Sequence, residues 1–147
     1  MPSLVFPALV RRQVLEQHGE LRVVLERVIA RAAPVALDAV ELAASAREMC
    51  GRFRVHLDFE EAALPPVFAV LDAWGPERVR DLRDEHARQR QVLDGLLGRF
   101  ESGGNIQELA GALRDLALDL WRDMEEEEDG CLRASLMSSD SLPVERR

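Results

Sequence analysis

The chain has 147 residues, of which 47% are apolar and 31% charged, and its net charge is −8. This length suffices for one domain with a buried core, and the apolar content argues against a disordered chain. The negative charge argues against general nucleic-acid binding, which needs a basic surface. A membrane helix needs an apolar run of about 18 residues, and the sequence has none of that length. No secretory leader pattern is visible either, so we expect a cytoplasmic protein. Cys50 and Cys131 are too few for a disulfide framework and are predicted to be reduced.

Composition, together with residues that break or cap helices, predicts four helical segments. Leu, Ala, Val, Arg and Glu dominate the chain and tyrosine is absent, a composition that favours helix over sheet. Residues that break, open or cap helices mark the boundaries, namely Pro34, the pair Pro65-Pro66, the pair Gly75-Pro76, and Asn105. The predicted segments are residues 10–31, 35–64, 76–101 and 105–136.

Four helices with short connections predict an all-α fold, an antiparallel up-down-up-down four-helix bundle. Residues 1–136 would form this single domain, and residues 137–147 a C-terminal extension outside it. Between the second and third segments, the stretch PVFAVLDAW is expected to form a short helical turn. This turn would return Phe68 and Trp74 to the core.

Each segment carries an apolar seam, with residues spaced alternately by three and four positions, and a histidine or carboxylate interrupts every seam. The interrupting residues are His18 in the first segment, His56 and Glu60 in the second, His86 in the third, and Asp123 and Glu127 in the fourth. In an up-down-up-down bundle, the starts of the first and third helices meet the ends of the second and fourth. All six side chains are therefore expected at one end of the core, and they include every histidine of the chain.

Such a cluster predicts a metal site. Burying several carboxylates together costs several kcal/mol unless a cation compensates them. Neutral imidazole and carboxylate are good ligands for iron, manganese or zinc. Residues four apart on a helix face the same way, so His56 with Glu60, and Asp123 with Glu127, could each bind at one site. The ferritin-type Glu-x-x-His pair does not occur in this sequence.

These residues resemble the hemerythrin-like, or HHE cation-binding, family from about His18 to Leu132. The motifs that carry the resemblance are LEQHGELR with His18, VHLDFEEAALPP with His56 and Glu60, DEHARQRQVL with His86, and RDMEEEEDGCL with Glu127 or Glu128. The resemblance implies a four-helix bundle that holds a non-haem di-iron site. It also implies that these histidines and carboxylates are the ligands.

Two positions depart from the family pattern. Asp123 stands where the fourth helix usually has a histidine, and Arg90 stands at the second histidine position of the third helix. Oxygen-carrying members have five histidines and two carboxylates, whereas this chain offers three of each. The additional negative charge should stabilise ferric iron and disfavour reversible oxygen carriage. Asp123 is expected to be a sixth ligand or a hydrogen-bond partner of His86 or Arg90, and Arg90 either turns outwards, pairs with Asp123, or marks a site for one metal.

Two classes of function follow. The first is a metal-binding protein with a di-iron, mixed or single-metal centre, in which zinc or manganese could replace iron. It would serve redox chemistry with O2 or peroxide, sensing, or metal holding. The second is a bundle with a degenerate site that acts as a regulatory or protein-interaction module. The sequence leaves enzymatic turnover and a homodimer open.

Overall fold

The computed structural model describes residues 4–35, 37–137 and 142–143. Its four helices are α1 (Pro7–Arg31), α2 (Ala39–Leu71), α3 (Gly75–Ser102) and α4 (Ile106–Asp129). Each helix packs against its two neighbours in the order α1, α2, α3, α4, with α4 returning to α1. This arrangement confirms the predicted four-helix bundle. Within the described residues, no helix combines the length and apolar content that a membrane crossing requires.

Side-chain caps set the starts of α2 and α4. The carboxylate of Asp38 accepts hydrogen bonds from the amides of Val40 and Glu41 at 2.9 and 3.0 Å. Asn105 caps α4 in the same way, which confirms the predicted cap. These side chains satisfy amide groups that a helix leaves without partners in its first turn. The cap at Asp38 explains why α2 begins at Ala39 and not at the predicted residue 35.

The helix α2 continues through Pro65 and Pro66 to Leu71, so its predicted end at residue 64 is wrong. A proline inside a helix removes a backbone donor and crowds the preceding turn, at a cost of about 3 kcal/mol. The residues that follow offset this cost, because Val67 and Phe68 are buried. Phe68 therefore reaches the core, as predicted, but as part of α2 itself.

The corner between α2 and α3 is a short exposed turn. Asp72 is extended and ends α2. Trp74 is 64% exposed, so the prediction that it packs onto the core is wrong. At Gly75 the chain passes so close to α2 that a Cβ atom would lie 2.6 Å from the carbonyl oxygen of Phe68. Glycine is required there, and it opens α3 as predicted.

The fourth helix ends at Asp129, earlier than the predicted residue 136, because the amide of Gly130 turns back onto the carbonyl groups of Glu126 and Glu127. Turns follow as far as Met137, which is buried. The predicted extension, residues 137–147, lies mostly outside the described residues. Its described pair β2 (Leu142–Pro143) forms a short antiparallel ladder with β1 (Leu4–Val5).

The buried apolar residues form two clusters, one on each side of a polar layer. The larger cluster fills the end of the bundle where α2 and α4 begin, and its members include Leu25, Met49, Phe53, Leu93, Leu113 and Leu120. The smaller cluster lies at the other end and contains Val14, Leu64, Val67, Phe68, Leu82, Leu132 and Met137. The polar layer between the two clusters contains the histidines.

Candidate metal centre

The four helices bring the predicted ligands to one level of the bundle. His18 of α1, His56 and Glu60 of α2, and His86 of α3 are all buried. Each follows its helix's apolar seam, so the spacing that buries the neighbouring leucines also buries these polar groups. Glu127 lies in the last turn of α4 and is 18% exposed.

Four of the six predicted ligands form a compact group. His18, His56, Glu60 and Glu127 each present one ligand atom, and these atoms all lie within 4.8 Å of one another. Within the described part of the chain, three buried atoms of the group lack a hydrogen-bond partner: His18 Nε2, Glu60 Oε2 and Glu127 Oε1. Such atoms are rare in folded proteins, because each costs about 1–3 kcal/mol. The group therefore has donor atoms that a cation would satisfy.

The three histidines are oriented by side chains behind them. The partners of their Nδ1 atoms are Glu128 for His18 at 2.7 Å, Gln17 for His56 at 2.7 Å, and Glu61 for His86 at 3.2 Å. A carboxylate or amide oxygen accepts a hydrogen bond, so the Nδ1 atoms of His18 and His56 act as donors. Their Nε2 atoms then present lone pairs to the interior of the bundle. Histidines that bind metals are oriented in this way in most proteins.

Two pairs of acceptors consequently face each other inside the layer. Nε2 of His56 lies 2.8 Å from Oε1 of Glu60, and Nε2 of His18 lies 3.1 Å from Oε1 of Glu127. A neutral imidazole nitrogen and a carboxylate oxygen repel each other at these distances unless a proton or a metal ion lies between them. The geometry is therefore that of a site that holds either a proton or a metal ion between each pair.

The pKa values of the two buried carboxylates, Glu60 and Glu127, shift in opposite directions. Burial raises the pKa of Glu127, and the negative charge of Glu60 raises it further. Burial acts in the same direction on Glu60, but protons held between its carboxylate and the imidazoles of His56 and His86 outweigh burial, so the pKa of Glu60 falls below its usual range. Two buried carboxylates this close are unfavourable when both are charged. A bound cation would allow both to ionise.

Glu128 has a different position from its neighbour Glu127. Its carboxylate accepts two hydrogen bonds from Arg22, at 2.9 and 2.8 Å, in addition to its contact with His18. Glu127, in contrast, presents its Oε1 to the four-ligand group. Burial lowers the pKa of His18 despite the hydrogen bond with Glu128, and this favours the neutral imidazole that metals bind.

His86 contacts the four-ligand group through Glu60, with 3.5 Å between Nε2 and Oε1. Behind it, Glu61 is held by the guanidinium group of Arg90, which also donates to Asp58 at 2.7 Å. Arg90 thus turns outwards, one of the three expected outcomes. It keeps its charge on the outer side of Glu61.

Asp123 is not part of the four-ligand group. Its Oδ2 accepts a hydrogen bond from the amide of Gln89 at 3.0 Å and lies 3.5 Å from the guanidinium of Arg88. We predicted from the sequence that Asp123 is a sixth ligand or a hydrogen-bond partner of His86 or Arg90, whereas its hydrogen-bond partner in the structure is Gln89. The difference arises because Gln89, and not Arg90, points inwards on α3.

The roles of Gln17 and Arg22 behind the predicted ligands were not foreseen from the sequence. Arg22 stands four residues after His18 on the same helix face, and Gln17 directly precedes His18 in the chain. Their spacing from His18 was therefore a weak signal that both lie near the site. Their partners lie on other helices: Glu128 on α4 for Arg22, and His56 on α2 for Gln17. Such pairings depend on how the helices are rotated against each other.

A cleft with a volume of about 530 Å³ opens between α3 and α4 and reaches Glu127. Its lining includes the polar residues Arg78, Glu85, Gln89, Asp123 and Glu126, and the apolar residues Phe68 and Leu82. Cys131 also lines the cleft as a free thiol, and burial raises its pKa to about 12. A thiol with that pKa is protonated at neutral pH and is a poor nucleophile. The cleft connects the solvent with a carboxylate of the four-ligand group.

Comparison with known proteins identifies one family. The family model described as the hemerythrin HHE cation-binding domain matches residues 9–134, which include all six predicted ligands. No curated protein and no solved structure gives a significant match. The family relationship therefore rests on this match.

Proposed function

This chain belongs to the hemerythrin HHE cation-binding domain family, and on that premise we propose that it binds iron in a non-haem centre between its four helices. His18 and His56 would supply the nitrogen ligands, and Glu60 and Glu127 the carboxylate ligands. These four groups fit a transition metal ion, because imidazole and carboxylate suit iron, manganese and zinc. Bound iron would supply redox chemistry with O2 or peroxide.

The observation that carries this proposal is the set of opposed acceptors. His18 and His56 donate from Nδ1 to partners outside the layer, so their Nε2 lone pairs meet carboxylate oxygens at 3.1 and 2.8 Å. A protein that had no cation to bind would gain stability by replacing these groups with apolar ones. Their orientation by Gln17 and Glu128 supports a role in metal binding.

The protein's own residues would control access to the centre. The smaller apolar cluster covers one side of the layer and the larger cluster the other, so water reaches the ligands poorly from either end. The cleft between α3 and α4 leads to Glu127 and has room for a small solute such as O2 or peroxide. Redox chemistry, sensing of these molecules and metal holding would all use this one centre.

The alternative is that the bundle is a regulatory or interaction module whose site has degenerated. The loss of family histidines at positions 90 and 123 favoured that interpretation. The buried atoms without partners argue against it, because a degenerate site has no reason to keep three costly groups.

Metal analysis of a double variant tests the proposal. Wild-type protein reconstituted with ferrous iron without oxygen should contain iron, and its optical spectrum should change on exposure to air. His56→Ala with Glu60→Ala should remove the iron and leave most of the helical circular dichroism. The matched control is Arg47→Ala with Val55→Ala, two exposed positions of the same helix. Equal iron in the two double variants, or none in the wild type, would contradict the proposal.

A further inference from the structure

We propose, as an extension that depends on the function proposed above, that this centre holds one metal ion per chain, in place of the two that the family resemblance implies. The ion would be bound by His18, His56, Glu60 and Glu127. The two other predicted ligands, His86 and Asp123, would not form a second site.

The spacing of the donors is that of a site for one ion. At metal–ligand distances of about 2.0–2.2 Å, donors on opposite sides of an ion lie about 4 Å apart. All four donors here lie within 4.8 Å of one another, so small movements would close them on one ion. A centre with two ions about 3.5–4 Å apart would spread its outer donors over about 8 Å.

Asp123, the sixth predicted ligand, contacts side chains of α3. Asp123 is bound to the amide of Gln89 at 3.0 Å and lies 3.5 Å from Arg88. A second ion would therefore have His86 as its one separate nitrogen ligand in the described part of the chain. It would have to share Glu60 and Glu127 with the first ion.

The charges also match one ion. Glu60 and Glu127 together carry two negative charges when ionised, which neutralise one dication. Asp123 lies outside the four-ligand group, with Arg88 at 3.5 Å. A second dication would add two positive charges to the buried layer, and charges of one sign repel strongly where the dielectric constant is low.

Metal stoichiometry tests this inference. The full chain is titrated with ferrous iron without oxygen, and in parallel with zinc as a redox-inert probe, and bound metal is measured by elemental analysis after desalting. We expect one ion per chain in the wild type, in His86→Gln and in Asp123→Asn. In His56→Gln we expect metal affinity to fall more than about 100-fold, beyond the effect of losing a residue behind a ligand.

The outcomes separate the two proposals. One ion in the wild type, unchanged in His86→Gln and Asp123→Asn, supports the inference. Two ions in the wild type, with one in His86→Gln, would overturn the inference and leave the proposed metal-binding function intact. No metal in the wild type would overturn both. A wild-type count of two ions or of none is decisive by itself, so the inference can be overturned without any variant.

Discussion

The two ends of the bundle core differ in the polarity of their buried side chains. The end where α2 and α4 begin is filled by the larger apolar cluster, which includes Leu25, Phe53 and Leu113. The other end places a layer of histidines and carboxylates over a smaller apolar cluster. Burying unpaired polar atoms costs free energy. The comparison indicates that the larger cluster stabilises the fold, while the polar layer is retained for binding.

The largest effect on stability should come from the larger cluster. Leu113→Ala removes a fully buried side chain, and we expect it to lower the free energy of unfolding by about 2–5 kcal/mol. Leu118→Ala on the same helix is the control, because Leu118 is 50% exposed and should change stability by less than about 0.5 kcal/mol. Urea denaturation measures both. Metal stoichiometry should be unchanged in each variant, and its loss in a folded Leu113→Ala protein would contradict the separation of the two ends.

The next effect should appear in metal affinity. Arg22→Gln removes the guanidinium that holds Glu128, and through it His18. Loss of such outer partners weakens metal binding by about 10–100-fold. Arg27→Gln is the matched control, since Arg27 lies on the same helix as Arg22 and pairs with Glu48 of α2 at an exposed site. Titration calorimetry with zinc should separate the two variants, and equal affinities would refute a role for Arg22 in orienting the centre.

A smaller change in stability should follow from a cap at the apolar end. Asn105→Ala leaves the amides of Gln107 and Glu108 without their side-chain acceptor and should cost about 1 kcal/mol. Its metal affinity should equal that of the wild type, because the cap lies at the end away from the polar layer. Thermal unfolding in the presence and absence of zinc checks both statements. A change in metal affinity would show that the two ends are coupled.

The smallest effect should be a pH-dependent one at the α2–α3 corner. The hydrogen bond from the amide of Trp74 lowers the pKa of Asp72, and Arg78 lowers it further. A lowered pKa contributes stability above the unfolded-state value of about 3.9, and this contribution disappears as the pH falls through the folded-state pKa. Asp72→Asn should therefore cost less than about 1 kcal/mol at pH 6, since Asp72 is exposed. The difference from wild type should shrink between pH 5 and pH 3, and a difference that grew on acidification would contradict this account.

The sequence predicted the fold well because helical periodicity and caps act locally. Asn105 and Gly75-Pro76 mark helix starts that the structure reproduces. The predicted end of α2 at Pro65-Pro66 failed because buried residues after the prolines compensate for the broken backbone bonds. The prediction that Trp74 packs onto the core was wrong because no helical period continues through the corner that contains it.

The candidate site could be predicted in part for the same reason. Spacing of three and four brings His18, His56, Glu60 and Glu127 to one level, and the structure places their donor atoms together. Spacing does not determine which residues bind behind them, because that depends on how the four helices are rotated. The partners of Asp123 are an example, since Gln89 and Arg88 were not expected to contact it.

Anomalous X-ray diffraction from crystals loaded with iron would test the metal centre most directly. Data collected on both sides of the iron absorption edge locate the ion and its ligands. We expect one peak per chain, within about 2.0–2.2 Å of the Nε2 atoms of His18 and His56 and of carboxylate oxygens of Glu60 and Glu127. A peak bound by other side chains, or no peak within the bundle, would contradict it.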